Sequence, residues 1–140
     1  MSNLTTQTDN VFSTQLLADM ANILKDNGFS VYWSKWSSSN AKPAYFYFTD
    51  GANIGYCQEA YFGGLSFSTV HKPCRECGTG FGLNESGTGI YEPTLKDAER
   101  AFIVAPNWAK SNDVRAVRKY KSWEEYTNAP INKMCQYIQY

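Results

Sequence analysis

Apolar positions at helical spacing predict an amphipathic helix near the start of the chain, between Val11 and Lys25. Side chains three and four residues apart share one face of a helix, so this spacing provides an apolar stripe that can pack on a core. Asp9 or Asn10 is the predicted N-cap, and Asn27-Gly28 supplies the left-handed residue that ends the helix. Residues 1–8 are polar and are expected to fray. The stripe consists of Phe12, Leu16, Met20, Ile23 and Leu24.

Alternating apolar and polar positions after this helix predict strands, because successive side chains of a strand point to opposite faces of a sheet. Asp50-Gly51 lies between two such runs and is a strong hairpin signal, and Gly63-Gly64 interrupts the chain again. The turn signals predict an antiparallel meander of about four strands. These strands are expected over residues 29–36, 44–49, 53–59 and 65–71.

Helix-start signals return in the second half of the chain. Thr94 to Asp97 has an acidic N-cap signature, and the helix that follows is expected to end at Pro106. Ser122 to Glu125 forms a capping box before a short helix, and residues 131–138 again have helical spacing. The pattern predicts an α+β fold in which an N-terminal amphipathic helix packs on an antiparallel β-meander, with C-terminal helices. We expect one globular domain over residues 1–140.

Charge and composition narrow the classes of function. The 13 Lys and Arg residues balance the 13 Asp and Glu residues, whereas a typical nucleic-acid binder is basic overall. The N-terminus has no secretory signal, and no apolar run approaches the roughly 20 residues of a membrane span. We therefore expect a cytoplasmic protein with no membrane partner, whose cysteines are thiols or metal ligands rather than disulfides. Aromatic residues make up 16% of the chain, which favours a β-rich core and aromatic contact surfaces.

The segment from His71 to Gly80 holds the densest cluster of reactive side chains. Cys74 and Cys77 form a Cys-x-x-Cys-Gly turn that is similar to half of a zinc ribbon, in which tetrahedral zinc needs four ligands. His71 is a candidate third ligand, and Cys57 on a neighbouring predicted strand is a candidate fourth. Because one matched knuckle is an incomplete ligand set, unliganded thiols are favoured over structural zinc, and no other cofactor is predicted. A redox pair is disfavoured because the glycines after Cys77 do not begin a helix.

The usual catalytic signatures are absent from the sequence. It contains no nucleophile elbow, metalloprotease helix or phosphate-binding loop. The chain has one histidine, so a nucleophile–base pair would have to use His71 with Cys74, Cys77 or a serine from elsewhere. A small enzyme centred on His71 and the adjacent cysteines is the less favoured alternative.

Basic and aromatic residues outside the predicted core form a candidate contact surface. Residues 110–121 hold several cations around Asp113, and Arg115, Arg118 and Lys119 share a face if this stretch is helical. Such a patch suits phosphates or an acidic protein surface. Exposed tryptophans are frequent binding hot spots. The predicted partner-binding residues are Trp36, Lys72, Arg75, Trp108, Arg115, Arg118 and Lys119.

The whole-chain profile resembles small stand-alone inhibitors from mobile elements, being compact, aromatic-rich and without catalytic motifs. Phage anti-CRISPR and other anti-defence proteins share this profile, as do toxin-immunity proteins. The resemblance has no motif, so it transfers no functional residue. The leading hypothesis is a non-enzymatic binding protein that inhibits a macromolecular partner, either a protein or a ribonucleoprotein complex. The alternative is a nucleic-acid-binding protein with a zinc-stabilised Cys-x-x-Cys loop, whose binding would depend strongly on salt.

Overall fold

The computed structural model describes residues 11–35, 42–60, 63–70, 90–100, 102, 120–130, 132–133 and 135–140. The α+β class predicted from the sequence is confirmed, because an antiparallel sheet occurs with one helix before its first strand and further helices between its fourth and fifth strands. The described helices are α1 (Gln15–Asp26), α2 (95–100) and α3 (Trp123–Asn128). The described strands are β1 (Ser30–Lys35), β2 (Tyr45–Thr49), β3 (Ile54–Glu59), β4 (Leu65–Thr69) and β5 (Gln136–Gln139).

The sheet has five strands in the order β4-β3-β2-β1-β5, and every neighbouring pair is antiparallel. Strands β1 to β4 form the predicted meander, with each strand hydrogen-bonded to the next in the sequence. Strand β5 comes from the C-terminal part of the chain and pairs with the free side of β1. The first strand of the meander is therefore an interior strand of the sheet.

Helix α1 begins later than the sequence indicated. Its N-cap is Thr14, whose Oγ1 accepts a hydrogen bond from the Leu17 N–H at 3.3 Å. The prediction of Asp9 or Asn10 as N-cap was wrong. Phe12 precedes the helix and is fully buried in the core, so it fits the apolar stripe without being helical. Tertiary packing thus holds the entry segment outside the helix.

The predicted end of α1 is confirmed. The Asn27 N–H donates to the Leu24 carbonyl at 3.1 Å, and Gly28 adopts a φ of 90°. That left-handed conformation is easily reached only by glycine, since it has no Cβ to clash with the backbone. The Phe29 N–H then returns to the Leu24 carbonyl at 3.0 Å, and the chain enters β1.

The Asp50-Gly51 signal also produces the predicted hairpin, which joins β2 to β3. The Asp50 carboxylate accepts hydrogen bonds from the backbone N–H groups of Ala52 at 2.9 Å and Asn53 at 2.8 Å, while Gly51 has a φ of 99°. Partial burial alone would raise the pKa of Asp50, but these hydrogen bonds outweigh it and hold the pKa below its ordinary value. The loop is therefore stabilised by the ionised aspartate itself.

One side of the sheet, here called the core face, packs against α1 and is apolar. Leu17, Met20 and Leu24 of α1 are fully buried against it. Burial of such side chains is the main favourable contribution to folding, worth about 1.5–3 kcal/mol for each one. The fully buried strand residues of the core face are Val31, Phe46, Phe48, Cys57 and Leu65.

Gly55 on β3 is needed for this packing. It lies directly opposite Phe48 in the β2–β3 register, and the phenyl ring covers it. A Cβ at this position would stand 2.2 Å from Cζ of Phe48, far inside van der Waals contact. A glycine inside a strand commonly marks such a close approach, so Gly55 makes room for the ring of Phe48.

Both later helices start at the predicted capping residues. The Thr94 N–H and hydroxyl donate to Oδ2 of Asp97 at 2.7 and 3.0 Å before α2. Ser122 Oγ accepts from the Glu125 N–H at 3.1 Å at the start of α3. These side chains satisfy backbone N–H groups that have no partner in the first turn of a helix. The predicted end of α2 at Pro106 lies outside the described residues.

The helical interpretation of residues 131–138 was wrong, because the chain forms strand β5 over Gln136–Gln139. Pairing with β1 provides the backbone hydrogen bonds, and Tyr137 and Ile138 point to opposite sides of the sheet. A four-residue strand has too few positions for its alternation to stand out in the sequence.

Among the helices in the described part of the chain, none is long and apolar enough to cross a membrane.

Candidate functional site on the tyrosine face

The side of the sheet opposite the core face carries a row of tyrosines and is here called the tyrosine face. Tyr32 on β1, Tyr47 on β2 and Tyr56 on β3 are direct neighbours in the strand registers. Because strand side chains alternate, these tyrosines lie on the opposite side of the sheet from the phenylalanines between them. Tyr45 and Tyr137 belong to the same face. The sequence Tyr-Phe-Tyr-Phe of β2 thus supplies both faces at once.

Helix α3 packs on part of this face. Trp123 stacks on Tyr32 with ring centroids 4.3 Å apart and an interplanar angle of 15°. The ring centroid of Tyr126 lies 5.4 Å from that of Tyr47 and 6.0 Å from that of Tyr137. The capping box at Ser122 fixes where α3 begins, and so fixes which of its residues face the sheet.

Tyr47 lies at the centre of this aromatic cluster and is 7% exposed. Its hydroxyl accepts a hydrogen bond from the hydroxyl of Tyr126 at 3.0 Å in a buried environment. Burial, together with the neighbouring tyrosines, raises the pKa values of both Tyr47 and Tyr126 well above the ordinary tyrosine value. Both hydroxyls are therefore neutral at physiological pH and act as hydrogen-bonding groups rather than as acids or bases.

The margin of the tyrosine face is formed by Tyr45 and Tyr56, which are half-buried. Their rings stack with centroids 5.3 Å apart and an interplanar angle of 26°. The Tyr45 hydroxyl donates to the carbonyl of Ser34 at 3.1 Å, receives the Ser34 N–H at 3.2 Å and contacts its hydroxyl. Burial raises the pKa of Tyr56 to about 12. The Tyr45 ring is thus held in one orientation by its hydroxyl, and the Tyr56 ring stacks on it.

The polar groups beside this margin are neutral. Gln58 of β3 pairs with Tyr45 of β2 and with Ser66 of β4, and Tyr56 pairs with Ser68. Ser66 and Ser68 are buried, with exposed fractions of 9% and 6%. In the described strands, this end of the face therefore offers the half-buried rings of Tyr45 and Tyr56 and the amide of Gln58, beside buried serine hydroxyls. Such groups recognise a partner through shape and hydrogen bonds rather than through net charge.

The residues predicted as the partner-binding surface lie outside the described residues. These are Trp36, Lys72, Arg75, Trp108, Arg115, Arg118 and Lys119. The same is true of His71, Cys74 and Cys77, the other members of the candidate zinc set and the centre of the alternative enzyme. Their roles remain predictions.

Cys57 is the one candidate zinc ligand that the structure describes. It lies on the core face of β3, between Phe46 of β2 and Phe67 of β4 in register, and has no exposed surface. Burial raises the pKa of the Cys57 thiol well above its ordinary value, so the thiol rather than the metal-binding thiolate is favoured. Among the described residues, no group of three or more His, Cys, Asp and Glu side chains could hold a metal ion. Cys57 therefore acts as a packed core residue in this structure.

The aromatic content predicted a β-rich core and aromatic contact surfaces, but the tyrosine face was not predicted as a unit. The available signal was the alternation of tyrosine and phenylalanine in β2, with Tyr32 and Tyr56 at alternating positions of the flanking strands. To infer that these tyrosines are neighbours on one face, the registers of β1, β2 and β3 are needed, and the sequence pattern did not provide them.

No family model matches the chain, and no curated protein or solved structure matches it significantly.

Proposed function

We propose that this protein is a non-enzymatic binding protein that acts on a macromolecular partner, and that the Tyr45–Tyr56 margin of the tyrosine face belongs to its contact surface. The observation that carries the proposal is this pair of stacked, half-buried rings, one of which is anchored through its hydroxyl. Tyrosine is enriched in protein interfaces because one side chain combines a large apolar area with a hydrogen-bonding group.

Rigidity supports the proposal. A side chain that is already ordered loses little conformational entropy on binding, and that loss costs about 0.5–1.5 kcal/mol for each flexible side chain that a partner immobilises. The hydrogen bonds of Tyr45 to Ser34 and the stacking of Tyr45 on Tyr56 provide this order before any partner arrives. The neutral groups around the pair favour a protein surface over a bare phosphate backbone.

We further propose that the protein inhibits a defence complex or a toxin, inside the cytoplasm of the cell that makes it. This proposal is supported by the compact, aromatic-rich profile of the chain, which resembles small inhibitors from mobile elements. In this proposal the partner is a protein or a ribonucleoprotein complex, and the basic residues Arg115, Arg118 and Lys119 extend the contact surface.

The test is an affinity pull-down of the tagged full chain from a host lysate, divided into nuclease-treated and untreated halves and analysed by mass spectrometry. We expect a stoichiometric protein partner that survives nuclease treatment. Tyr45→Ala and Tyr56→Ala should each reduce capture about tenfold, as truncation of an interface hot spot does. The triple replacement of Arg115, Arg118 and Lys119 by alanine should weaken capture as well.

Tyr91→Ala is the matched control, because Tyr91 is a tyrosine outside this face with 66% of its surface exposed. It should leave capture unchanged. Tyr45→Phe retains the ring but loses the hydrogen bonds to Ser34, so it should reduce capture by less than Tyr45→Ala does. Circular dichroism on each variant separates loss of contact from loss of fold.

Full capture by folded Tyr45→Ala and Tyr56→Ala would remove the tyrosine face from the interface. Partners lost on nuclease treatment would favour the nucleic-acid alternative, and an empty pull-down would contradict the proposal.

A further inference from the structure

Strand β5 forms one edge of the described sheet, because β1 pairs with one of its sides and no described strand pairs with the other. The Tyr140 N–H donates to the Val31 carbonyl at 2.8 Å, which identifies Tyr140 as a residue whose backbone groups point toward β1. Antiparallel ladders alternate, so Ile138 also directs its backbone groups toward β1. Tyr137 and Gln139 therefore direct theirs outward, away from the sheet.

Within Gln136–Gln139, this edge carries no lysine, proline or other charged side chain that would protect an edge strand. Natural sheets prevent edge pairing with lysines, prolines or bulges, whereas β5 reads Gln-Tyr-Ile-Gln with no charge and no proline. Within the described residues, no hydrogen bond involves the outward backbone groups of Tyr137 or Gln139. Ile138 adds a half-buried apolar side chain at the same edge. Unpaired backbone groups beside an uncharged strand form a template for a further strand.

The sequence around Ile138 is complementary to itself. On each side of Ile138 stand one glutamine and one tyrosine, in the order Gln136, Tyr137, Ile138, Gln139, Tyr140. A two-fold axis at Ile138 places every glutamine opposite a tyrosine of the second strand and places Ile138 beside its own copy. The outward residues Tyr137 and Gln139 then face each other across the axis, which is the phase that reciprocal N–H···O=C bonds require.

We propose that two copies of this chain associate through antiparallel pairing of their β5 strands, so that the two sheets become one continuous sheet with a two-fold axis at Ile138. A second copy fits this edge because the strand is uncharged, and self-pairing therefore opposes no like charges. The apolar Ile138 pair lies on the core-face side, and the Tyr137–Gln139 pairs lie on the tyrosine-face side. Because the contact between the two strands is short, we expect the dimer to be weak, so that its population rises with protein concentration.

The test is sedimentation velocity of the full chain in reducing buffer, which excludes disulfide-linked dimers, over concentrations from about 1 μM to about 1 mM. We expect a reversible monomer–dimer equilibrium. Ile138→Lys and Ile138→Glu should each weaken dimerisation about tenfold or more, because each places like charges side by side at the axis. An equimolar mixture of the two variants should restore the dimer. Ile138→Val is the control and should leave the equilibrium within about threefold of that of the parent chain.

A second pair of variants tests the hydrogen bonds without changing the charge. Gln139→Pro removes an outward N–H but leaves the ladder to β1 intact, since a proline is tolerated on the solvent side of an edge strand. It should weaken dimerisation, whereas Gln139→Ala retains the N–H and should not. A parent chain that is monomeric at every concentration overturns the proposal. So does an unchanged dimer in the folded Lys, Glu and Pro variants.

Discussion

The two faces of this sheet come from the same strands but are built on different physical principles. On β2, Phe46 and Phe48 are fully buried on the core face, where α1 covers them and no hydroxyl accompanies the rings. Tyr45 and Tyr47 point to the other face, where each ring brings a hydroxyl that needs a partner when it is buried. Tyr47 is paired with Tyr126. On β2, the core face is thus stabilised by apolar burial, and the tyrosine face by burial and hydrogen bonds together.

This difference favours the tyrosine face over the core face as the proposed contact surface. A wholly apolar margin would be costly to leave half-exposed, whereas a tyrosine tolerates an environment that is apolar at the ring and wet at the hydroxyl. Helix α3 is only six residues long and packs on Tyr32, Tyr47 and Tyr137. The Tyr45–Tyr56 margin stays half-buried.

The largest expected effect comes from the core face. Phe48→Ala should reduce the free energy of unfolding by about 3–5 kcal/mol, because it removes a fully buried ring and leaves a cavity above Gly55. Urea denaturation measures the loss. Tyr56→Ala on the tyrosine face is the comparison variant and should lose less, since its ring is half-buried. Equal losses would contradict the distinction between the two faces.

Alkaline pH should act on the tyrosine face. Burial raises the folded-state pKa values of Tyr47 and Tyr126, so both bind protons more tightly when folded. Their contribution to stability is fully present below the unfolded pKa near 10, and is lost as pH rises from there toward the folded values. Above about pH 10 we expect the free energy of unfolding to fall by about 1.4 kcal/mol per pH unit for each tyrosine.

Urea denaturation at about pH 9, 10 and 11 measures this slope. The double variant Tyr47→Phe/Tyr126→Phe removes both phenols and should fall less steeply over the same range. A variant with the same slope as the parent chain would show that these two tyrosines do not determine alkaline stability.

The smallest effect concerns the hydrogen bond from Tyr126 to Tyr47, which a double-mutant cycle separates from the contact of Tyr126 with Tyr137. Tyr126→Phe removes the donor and should reduce the free energy of unfolding by about 1 kcal/mol, the usual net value of such a bond. Tyr47→Phe in the Tyr126→Phe background should cost less than it does alone, because the shared bond is already absent. A double-mutant cycle by urea denaturation measures this coupling, and strict additivity would argue that the bond contributes nothing to stability.

Local sequence signals by themselves determined much of this fold. Asn27-Gly28 ends α1, Asp50-Gly51 forms the hairpin, and Thr94 and Ser122 cap the helices that follow them, as predicted. Each of these interactions joins groups only a few residues apart, so the residue types at those positions are enough to specify it. The alternation of apolar and polar positions specified the four-strand meander for a similar reason.

Tertiary structure determined which distant segments of the chain pair and pack together. Residues 136–139 became a strand because β1, about a hundred residues earlier, offers a free edge, and a short segment takes the hydrogen bonds that its surroundings provide. Phe12 stayed outside α1 because it is buried against rings from distant strands. Cys57 entered the core, and the tyrosines formed one row, only through strand register. Such contacts join positions far apart in the sequence, which is why no local pattern could specify them.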